Sequence, residues 1–135
     1  MEQNLFFFLT NKKQSNFLYD HLSVSEGLQL LRAHGYTALP VISREGSYAG
    51  SVTEGDFLYY LMDHPQADLD AVTVKDLVRP GFMPAVSFDV DMGPLLARAL
   101  EQNFVPVVDD RNVFIGIITR KNIMAWLMEH QNQTM

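Results

Sequence analysis

The sequence contains an internal repeat with a spacing of 66 residues. The segments that match at this spacing include Leu39–Ile42 with Val105–Val108, and Gly50–Thr53 with Gly116–Thr119. Residues 24–64 align on residues 90–130 without a gap, and about a dozen of these 41 positions are identical. Repetition at a fixed period indicates that one supersecondary unit occurs more than once. The 135 residues are therefore predicted to hold two copies of one unit, with a lead-in before them and a linker between them.

In the first copy, the order of elements is helix, strand, strand, helix. Ser23 and Glu26 have the spacing of a capping box, and Gly35 is the glycine that commonly follows a helix. Short apolar strands are predicted over 39–43 and 48–52. Thr53 then caps a second helix, which ends near His64-Pro65.

The second copy predicts the same order. Asp91 or Asp89 caps its first helix, strands follow over 105–108 and 113–118, and Thr119 caps the last helix. Between the copies, residues 65–84 are polar except for 72–78, where the Thr73-x-x-Asp76 pattern predicts a short docked helix.

These patterns predict a mixed α/β (α+β) fold. A helix–strand–strand–helix unit of this size cannot cover both faces of its own sheet, so the two copies are expected to pack together around a pseudo-twofold axis. We place the first copy and lead-in at residues 1–65 and the linker and second copy at 66–135. The apolar residues Phe57, Tyr60, Trp126 and Met128 on the second helix of each copy fit either a dimer surface or the core.

Composition excludes several classes of function. The chain has no cysteine, which excludes a disulfide scaffold and thiolate chemistry. Its net charge of −6 argues against nucleic acid as a partner, because binding of phosphate backbones needs a basic face. The histidines and acids show no metal-ligand spacing, and no catalytic motif is present. Without a targeting signal or a long apolar run, we expect a cytoplasmic protein that does not enter a membrane.

The chemistry is concentrated in the segment Gly50–Asp56, where a strand ends and a helix begins. Free N–H groups and the helix dipole attract a phosphate at such a place. The Thr53 hydroxyl can join them, and the Asp56 carboxylate can accept bonds from two ribose hydroxyls. The same Thr53-x-x-Asp56 spacing is also an ordinary capping box, so a purely structural role remains an alternative.

The doubled arrangement of a helix, a Leu-Pro-Val-type strand and a Gly-x-x-Thr-x-x-Asp turn resembles the cystathionine β-synthase (CBS) domain pair. The resemblance covers roughly residues 12–129. It implies a tandem module with two clefts between its repeats, and this module often forms a homodimer. In the family the clefts bind adenine-containing ligands such as AMP, ADP, ATP, S-adenosylmethionine or cyclic di-AMP, with the Thr near ribose or phosphate and the Asp on the ribose hydroxyls.

The second copy departs from the family motif at one position. Thr119 is kept, but Asn122 stands where the first copy has Asp56. An amide can still bond a hydroxyl, although without charge assistance. The neighbouring cations Arg120 and Lys121 suit a phosphate, or they form a solvated basic turn.

The resemblance also implies that the segments before the strands wall the clefts. Backbone groups of these segments would meet the adenine edge, and Tyr36 or Phe104 would stack on the base or fill the core. The wall residues are Tyr36, Thr37, Ala38 and Pro40 in the first copy, and Asn103, Phe104 and Val105 in the second.

We therefore expect a non-enzymatic regulatory module without a cofactor. It would bind AMP, ADP or ATP and signal to an unknown target protein by conformational change. A cyclic di-AMP receptor and a ligand-free structural dimerisation module are the alternatives.

Overall fold

The structure is a computed structural model that describes residues 5–131, with side chains described up to Glu129. These residues form two compact units. The first-repeat unit comprises residues 16–83, and the second-repeat unit comprises the described residues of the lead-in up to Ser15 and of the chain from Pro84 onward. The units do not coincide with a division between residues 65 and 66. The reason is that the lead-in packs with the second repeat, whereas the linker packs with the first.

Strands and helices follow the predicted order in both units. The lead-in supplies β1 (Leu9–Asn11). The first-repeat unit holds β2 (Leu18–Tyr19), α1 (Val24–His34), β3 (Ala38–Ile42), β4 (Tyr48–Thr53) and α2 (Glu54–Asp63). The second-repeat unit continues with β5 (Val86–Ser87), α3 (Met92–Glu101), β6 (Phe104–Val108), β7 (Phe114–Thr119) and α4 (Arg120–Gln131). The mixed helix and strand content confirms the predicted fold class.

The predicted start and end of α1 are confirmed. The Ser23 side chain accepts a hydrogen bond from the Glu26 N–H at 3.0 Å, and the Glu26 carboxylate accepts one from the Ser23 N–H at 3.2 Å. Gly35 follows α1 in the left-handed conformation with φ 69°. Asp91 stands at the N-cap position of α3, but its side chain makes no capping hydrogen bond.

Each unit has its own small sheet. In the first-repeat unit the strand order is β2-β3-β4, with β2 parallel and β4 antiparallel to β3. In the second-repeat unit the order is β1-β7-β6-β5, with β5 parallel to β6 and β1 antiparallel to β7. Strands β1, β2 and β5 were not predicted, because two or three residues are too few to show an alternating pattern.

Each unit also has its own apolar core. The core of the first-repeat unit consists of Leu18, Val24, Leu31, Leu39, Val41, Val52, Phe57, Val74 and Leu77. The core of the second-repeat unit consists of Leu5, Phe8, Val86, Leu95, Ala99, Val105, Val107, Ile118 and Ile123. Of the residues that fitted either a dimer surface or the core, Phe57 is buried, Tyr60 and Trp126 pack against these cores, and Met128 is exposed.

The linker is held against the first repeat by backbone hydrogen bonds. The Val24 N–H donates to the Val72 carbonyl and the Val74 N–H donates to the Leu22 carbonyl, each at 2.8 Å. Residues Val74–Leu77 form a 3-10 helical turn, and Asp76 accepts a bond from the Thr73 N–H at 3.2 Å. The predicted docked helix is therefore present as a single turn, and it fixes the chain just before Arg79.

Candidate functional site

The Gly50–Asp56 segment forms the turn between β4 and α2. Thr53 is the N-cap of α2 in an extended conformation, and its hydroxyl oxygen accepts the Asp56 N–H at 3.2 Å. Oδ2 of Asp56 accepts the Thr53 N–H at 2.8 Å and the Thr53 hydroxyl at 3.0 Å. The capping box that the sequence offered as the structural alternative is therefore formed. Only part of the carboxylate is used by it, because both bonds converge on Oδ2.

The linker supplies a third partner for this carboxylate. Nε of Arg79 lies 2.8 Å from Oδ1 of Asp56, and a terminal guanidinium nitrogen lies 3.4 Å from Oδ2. The guanidinium carbon also lies 3.7 Å from the centroid of the Phe82 ring, so that the cation stacks on an aromatic face. A cation thus stands beside the acid and the N-terminus of α2.

Two glycines allow the chain to approach each motif strand closely. Gly50 has φ 141°, and a Cβ there would collide with a side-chain methyl group of Val78 in the linker. Gly116 has φ 155°, and a Cβ there would collide with the backbone carbonyl of Thr10 in β1. The first residue of the motif is therefore needed for packing of the flanking segment in both units.

The structure brings three of the predicted wall residues to the Thr53 turn. Ala38 pairs with Thr53 across the β3–β4 hairpin, and the carbonyl of Thr37 accepts the Glu54 N–H at 2.9 Å. Pro40 lies two residues farther along β3, buried and paired with Ser51.

Tyr36 lies at the rim of a separate groove. Its ring is half exposed, and it lines an apolar groove of about 450 Å³ between α1 and α2. The groove is lined by Leu28, Leu31, Arg32, Gly35, Tyr36, Glu54, Phe57, Leu58 and Leu61. Asp56 does not line this groove, so the structure gives no support for grouping Tyr36 with the carboxylate.

In the second-repeat unit, Asn122 holds the lead-in. Its amide nitrogen donates to the carbonyl of Phe8 at 3.1 Å and to the hydroxyl of Thr10 at 3.2 Å. The Asn122 N–H donates to the Thr119 hydroxyl at 3.2 Å, as the Asp56 N–H does in the first repeat. A carboxylate cannot donate to a carbonyl, which explains why an amide stands at this position.

Arg120 is engaged at the end of α3. Its Nε donates to the carbonyl of Ala99 at 2.6 Å, and a terminal nitrogen donates to the carbonyl of Leu100 at 3.1 Å. These are among the last carbonyls of the helix, which have no partner within it. Helix α1 ends instead at Gly35, whose N–H donates hydrogen bonds to the carbonyls of Leu31 and Arg32. Arg120 therefore fastens a helix end that lacks a glycine, and the exposed Lys121 beside it takes no part in this.

The other predicted wall residues of the second copy differ in burial. Asn103 is exposed, whereas Phe104 is 7% exposed and Val105 is fully buried. Phe104 pairs with Thr119 across the β6–β7 hairpin. Burial of the ring favours core filling over base stacking for Phe104.

Two features of the first-repeat unit were missed by the sequence analysis, namely Arg79 and the partly buried hydroxyl pair of Tyr48 and Ser51. The Tyr48 hydroxyl donates to the carbonyl of Met83 at 2.6 Å and lies 2.7 Å from Oγ of Ser51. Burial raises the pKa of Tyr48 to about 12, against a smaller lowering effect of the bond with Ser51. The bond from Tyr48 to Met83 spans 35 positions and the bond from Arg79 to Asp56 spans 23, so no local pattern could reveal either of them. The lone cation before Pro80-Gly81 was the only signal for Arg79.

Two kinds of site are not found in the part of the chain that the structure describes. Among the described side chains, no three acidic or histidine groups come close enough to hold a metal ion. No helix among the described residues is long and apolar enough to cross a membrane.

Known structures resemble the whole chain. The crystal structure of CbpB in complex with c-di-AMP matches with a TM-score of 0.91 and 22% identity, covering 98% of this chain and 89% of that one. A CBS domain protein from Streptococcus pneumoniae TIGR4 matches with a TM-score of 0.80 and 29% identity, covering 87% and 82%. CBSX2 in complex with AMP matches with a TM-score of 0.74 and 26% identity, covering 92% and 95%.

No curated protein matches the sequence. The family model of the CBS domain matches twice, at residues 13–63 and 84–129. These two ranges contain all but the last residue of the two aligned copies, and they include both Thr-capped turns. The chain therefore belongs to the CBS domain family and carries the domain in tandem.

Proposed function

We propose that this chain is a non-enzymatic regulatory module that binds an adenine nucleotide at the turn between β4 and α2. The ligand would be AMP, ADP or ATP, and the bound module would signal to a target protein through a change of conformation. We further propose that the module works as a homodimer in the cytoplasm and needs no cofactor.

The observation that carries the proposal is the cluster of Thr53, Asp56 and Arg79. A carboxylate that accepts hydroxyl donors lies beside a guanidinium that pairs with phosphate. Both lie at the N-terminus of a ten-residue helix, whose dipole favours an anion. Ribose and phosphate are the two parts of a nucleotide that these groups suit.

The comparisons support an adenine ligand. CBSX2, which is 26% identical, has been crystallised with AMP, and CbpB, which is 22% identical, with c-di-AMP. Thr37 and Ala38 lie against Thr53, so backbone groups for an adenine edge are available near the ribose acceptor.

Cyclic di-AMP is the second candidate ligand. The high structural similarity to CbpB favours it. Its 3′ oxygens are esterified to phosphate, so it offers Asp56 no vicinal diol. Binding of this ligand would therefore depend less on the Asp56 carboxylate than binding of AMP would.

The regulatory mechanism would be thermodynamic linkage. A nucleotide that binds one conformation more tightly than another shifts the population toward it. A target protein that recognises that conformation then responds to the concentration of the nucleotide.

A thermal-shift panel with AMP, ADP, ATP, cyclic di-AMP and S-adenosylmethionine tests the proposal, with GMP as the control for the base. A ligand at 100 times its Kd stabilises the folded protein by about 2.7 kcal/mol, which gives a shift of several degrees. We expect a shift with at least one adenine ligand and none with GMP. Absence of any shift would instead favour a ligand-free structural dimerisation module.

Variants then locate the site. Asp56→Ala should weaken AMP binding by about tenfold or more, because the ribose loses a charge-assisted partner. Asp63→Ala removes an exposed acid at the far end of the same helix and should leave binding unchanged. If the two variants changed AMP binding equally, Asp56 would not belong to the binding site.

A further inference from the structure

We propose that Arg79 makes this turn select phosphorylated adenosines over adenosine itself. The inference rests on the proposed function and assigns a specificity role to a linker residue. Arg79 covers Asp56 when no ribose is present. When a ribose takes its place, the released guanidinium pairs with the phosphate of the same ligand.

The number of donors at the Asp56 carboxylate determines which bonds a ribose can replace. A carboxylate offers about four acceptor positions. Oδ2 of Asp56 already receives the Thr53 N–H, the Thr53 hydroxyl and a terminal nitrogen of Arg79, while Oδ1 receives Nε of Arg79. A ribose diol brings two further donors. Because the Thr53 bonds belong to the helix cap, the bonds to Arg79 are the ones that a ribose displaces.

The two partners of the ion pair differ in exposure to solvent. The side chain of Asp56 is 9% exposed, whereas that of Arg79 is 52% exposed. The acid is therefore largely shielded from solvent, whereas the arginine that pairs with it has solvent around it in which to move. An ion pair with one solvated partner is held weakly enough for a ligand to open it.

The backbone beside Arg79 is anchored, whereas the Arg79 side chain is not enclosed. Val74 and Leu77 are buried before it, and the carbonyl of Met83 is held by Tyr48 after it. Phe82 supports the guanidinium from one face. The cation therefore remains close to the turn after it leaves Asp56, within reach of a phosphate at the start of α2.

Selectivity arises because the ligands differ in whether they offer Arg79 a new anionic partner after the ion pair with Asp56 breaks. Adenosine must break the ion pair and offers no anion in exchange. AMP breaks the same pair and supplies a phosphate, with which guanidinium forms strong paired hydrogen bonds. Arg79 thus opposes nucleoside binding and assists nucleotide binding.

The test is calorimetric titration of adenosine, AMP and cyclic di-AMP into the full chain and its Arg79→Ala variant. We expect Arg79→Ala to bind adenosine more tightly and the phosphorylated ligand less tightly. The affinity for the phosphorylated ligand divided by the affinity for adenosine should fall by about 10-fold to 100-fold, as expected for loss of a charge-assisted bond. Lys75→Ala is the matched control, since it removes another exposed cation of the linker and should leave the ratio unchanged.

The outcomes separate this inference from the proposed function. If Arg79→Ala weakens the binding of adenosine and of the nucleotide by the same factor, or changes neither, the affinity ratio stays the same. Arg79 then has at most a structural role, and the inference is wrong. If the unaltered protein binds none of the three ligands, the proposed function fails, and the inference fails with it. Arg79→Lys, which keeps the charge but loses the paired geometry, should give an intermediate ratio.

Discussion

Asp56 and Asn122 occupy the same position of the two repeats, yet they hold different parts of the molecule. In the first-repeat unit, Asp56 accepts bonds from Arg79, an exposed side chain of the linker. In the second-repeat unit, Asn122 donates to the backbone of Phe8 and the side chain of Thr10, which keeps β1 at the edge of its sheet. One position therefore joins each repeat to the segment that precedes the other repeat.

The difference shows how one turn can keep its fold while its chemistry changes. Thr53 and Thr119 both accept the N–H of the third following residue. The Asp56 carboxylate is a charged acceptor that faces an exchangeable partner, whereas the Asn122 amide is engaged by the Phe8 carbonyl and the Thr10 hydroxyl. We therefore regard the first turn as the better candidate for ligand binding and the second as a structural joint.

The largest expected effect concerns the two motif glycines. Gly116→Ala would place a methyl group against the Thr10 carbonyl, which belongs to a paired strand and cannot rotate away. We expect a loss of about 2–4 kcal/mol in unfolding free energy, measured by urea denaturation. Gly50→Ala meets only a side-chain methyl group of Val78 and should cost about 1–2 kcal/mol.

A rescue variant sharpens this contrast. Adding Val78→Ala to Gly50→Ala removes the atoms that collide, so part of the lost stability should return. No side-chain truncation relieves a collision with the Thr10 carbonyl. Equal losses for Gly50→Ala and Gly116→Ala would show that backbone conformation, and not close approach, determines both positions.

Exchange of the two motif residues comes next. Asn122→Asp puts a carboxylate against the carbonyl of Phe8 and removes both donors, which should cost about 2 kcal/mol. Asp56→Asn loses the partly exposed ion pair and should cost less than about 1 kcal/mol. Urea denaturation gives both values. The comparison fails if Asp56→Asn is the more destabilising change.

The sequence was sufficient for the repeat and for the local signals within it. The capping boxes of Ser23 and Thr53 and the left-handed Gly35 depend on neighbours within four residues, and all three were predicted. The role of Asn122 was not predicted, because Phe8 lies 114 positions away. The same holds for Arg79, whose partner lies 23 positions earlier.

For the same reason, the sequence could not predict which unit the lead-in and the linker pack with. A two-residue strand such as β5 has no periodicity, and the ladder between β1 and β7 is made by backbone groups, which every sequence carries. Side-chain patterns report which face of an element is buried, but they do not report which edge of a sheet is free. In the structure the lead-in groups with the second repeat, although it precedes the first repeat in the sequence.

Arg120 distinguishes the ends of α3 and α1. Arg120→Met removes the donors to the carbonyls of Ala99 and Leu100 but keeps most of the aliphatic stem. We expect a loss of about 1–2 kcal/mol without any ligand, measured by urea denaturation. Lys121→Met is the matched control and should change stability by less than about 0.5 kcal/mol. Similar losses of unfolding free energy for the two variants would show that the Arg120 hydrogen bonds do not stabilise the end of α3.

The smallest expected effect is a pH dependence of the unfolding free energy that arises in the first-repeat unit. Tyr48, which is partly buried, aligns with Phe114 at the repeat spacing, so a phenol occurs at this position only in the first repeat. Burial raises the pKa of Tyr48 from 10.0 to about 12 in the folded protein. Its contribution to stability is therefore complete below pH 10 and is lost as the pH rises through 12, because the unfolded chain ionises first.

Between pH 9 and pH 11 this phenol should lower the unfolding free energy by about 1–1.5 kcal/mol. Other tyrosines and lysines titrate in the same range, so the measured quantity is the difference between the unaltered chain and Tyr48→Phe. At pH 7 the variant should be the less stable of the two by about 1 kcal/mol, since the carbonyl of Met83 and the hydroxyl of Ser51 lose a partner. That deficit should shrink or reverse at pH 11. A constant difference at both pH values would mean that the phenol ionises without opening the first-repeat unit, and the pH contrast between the repeats would then disappear.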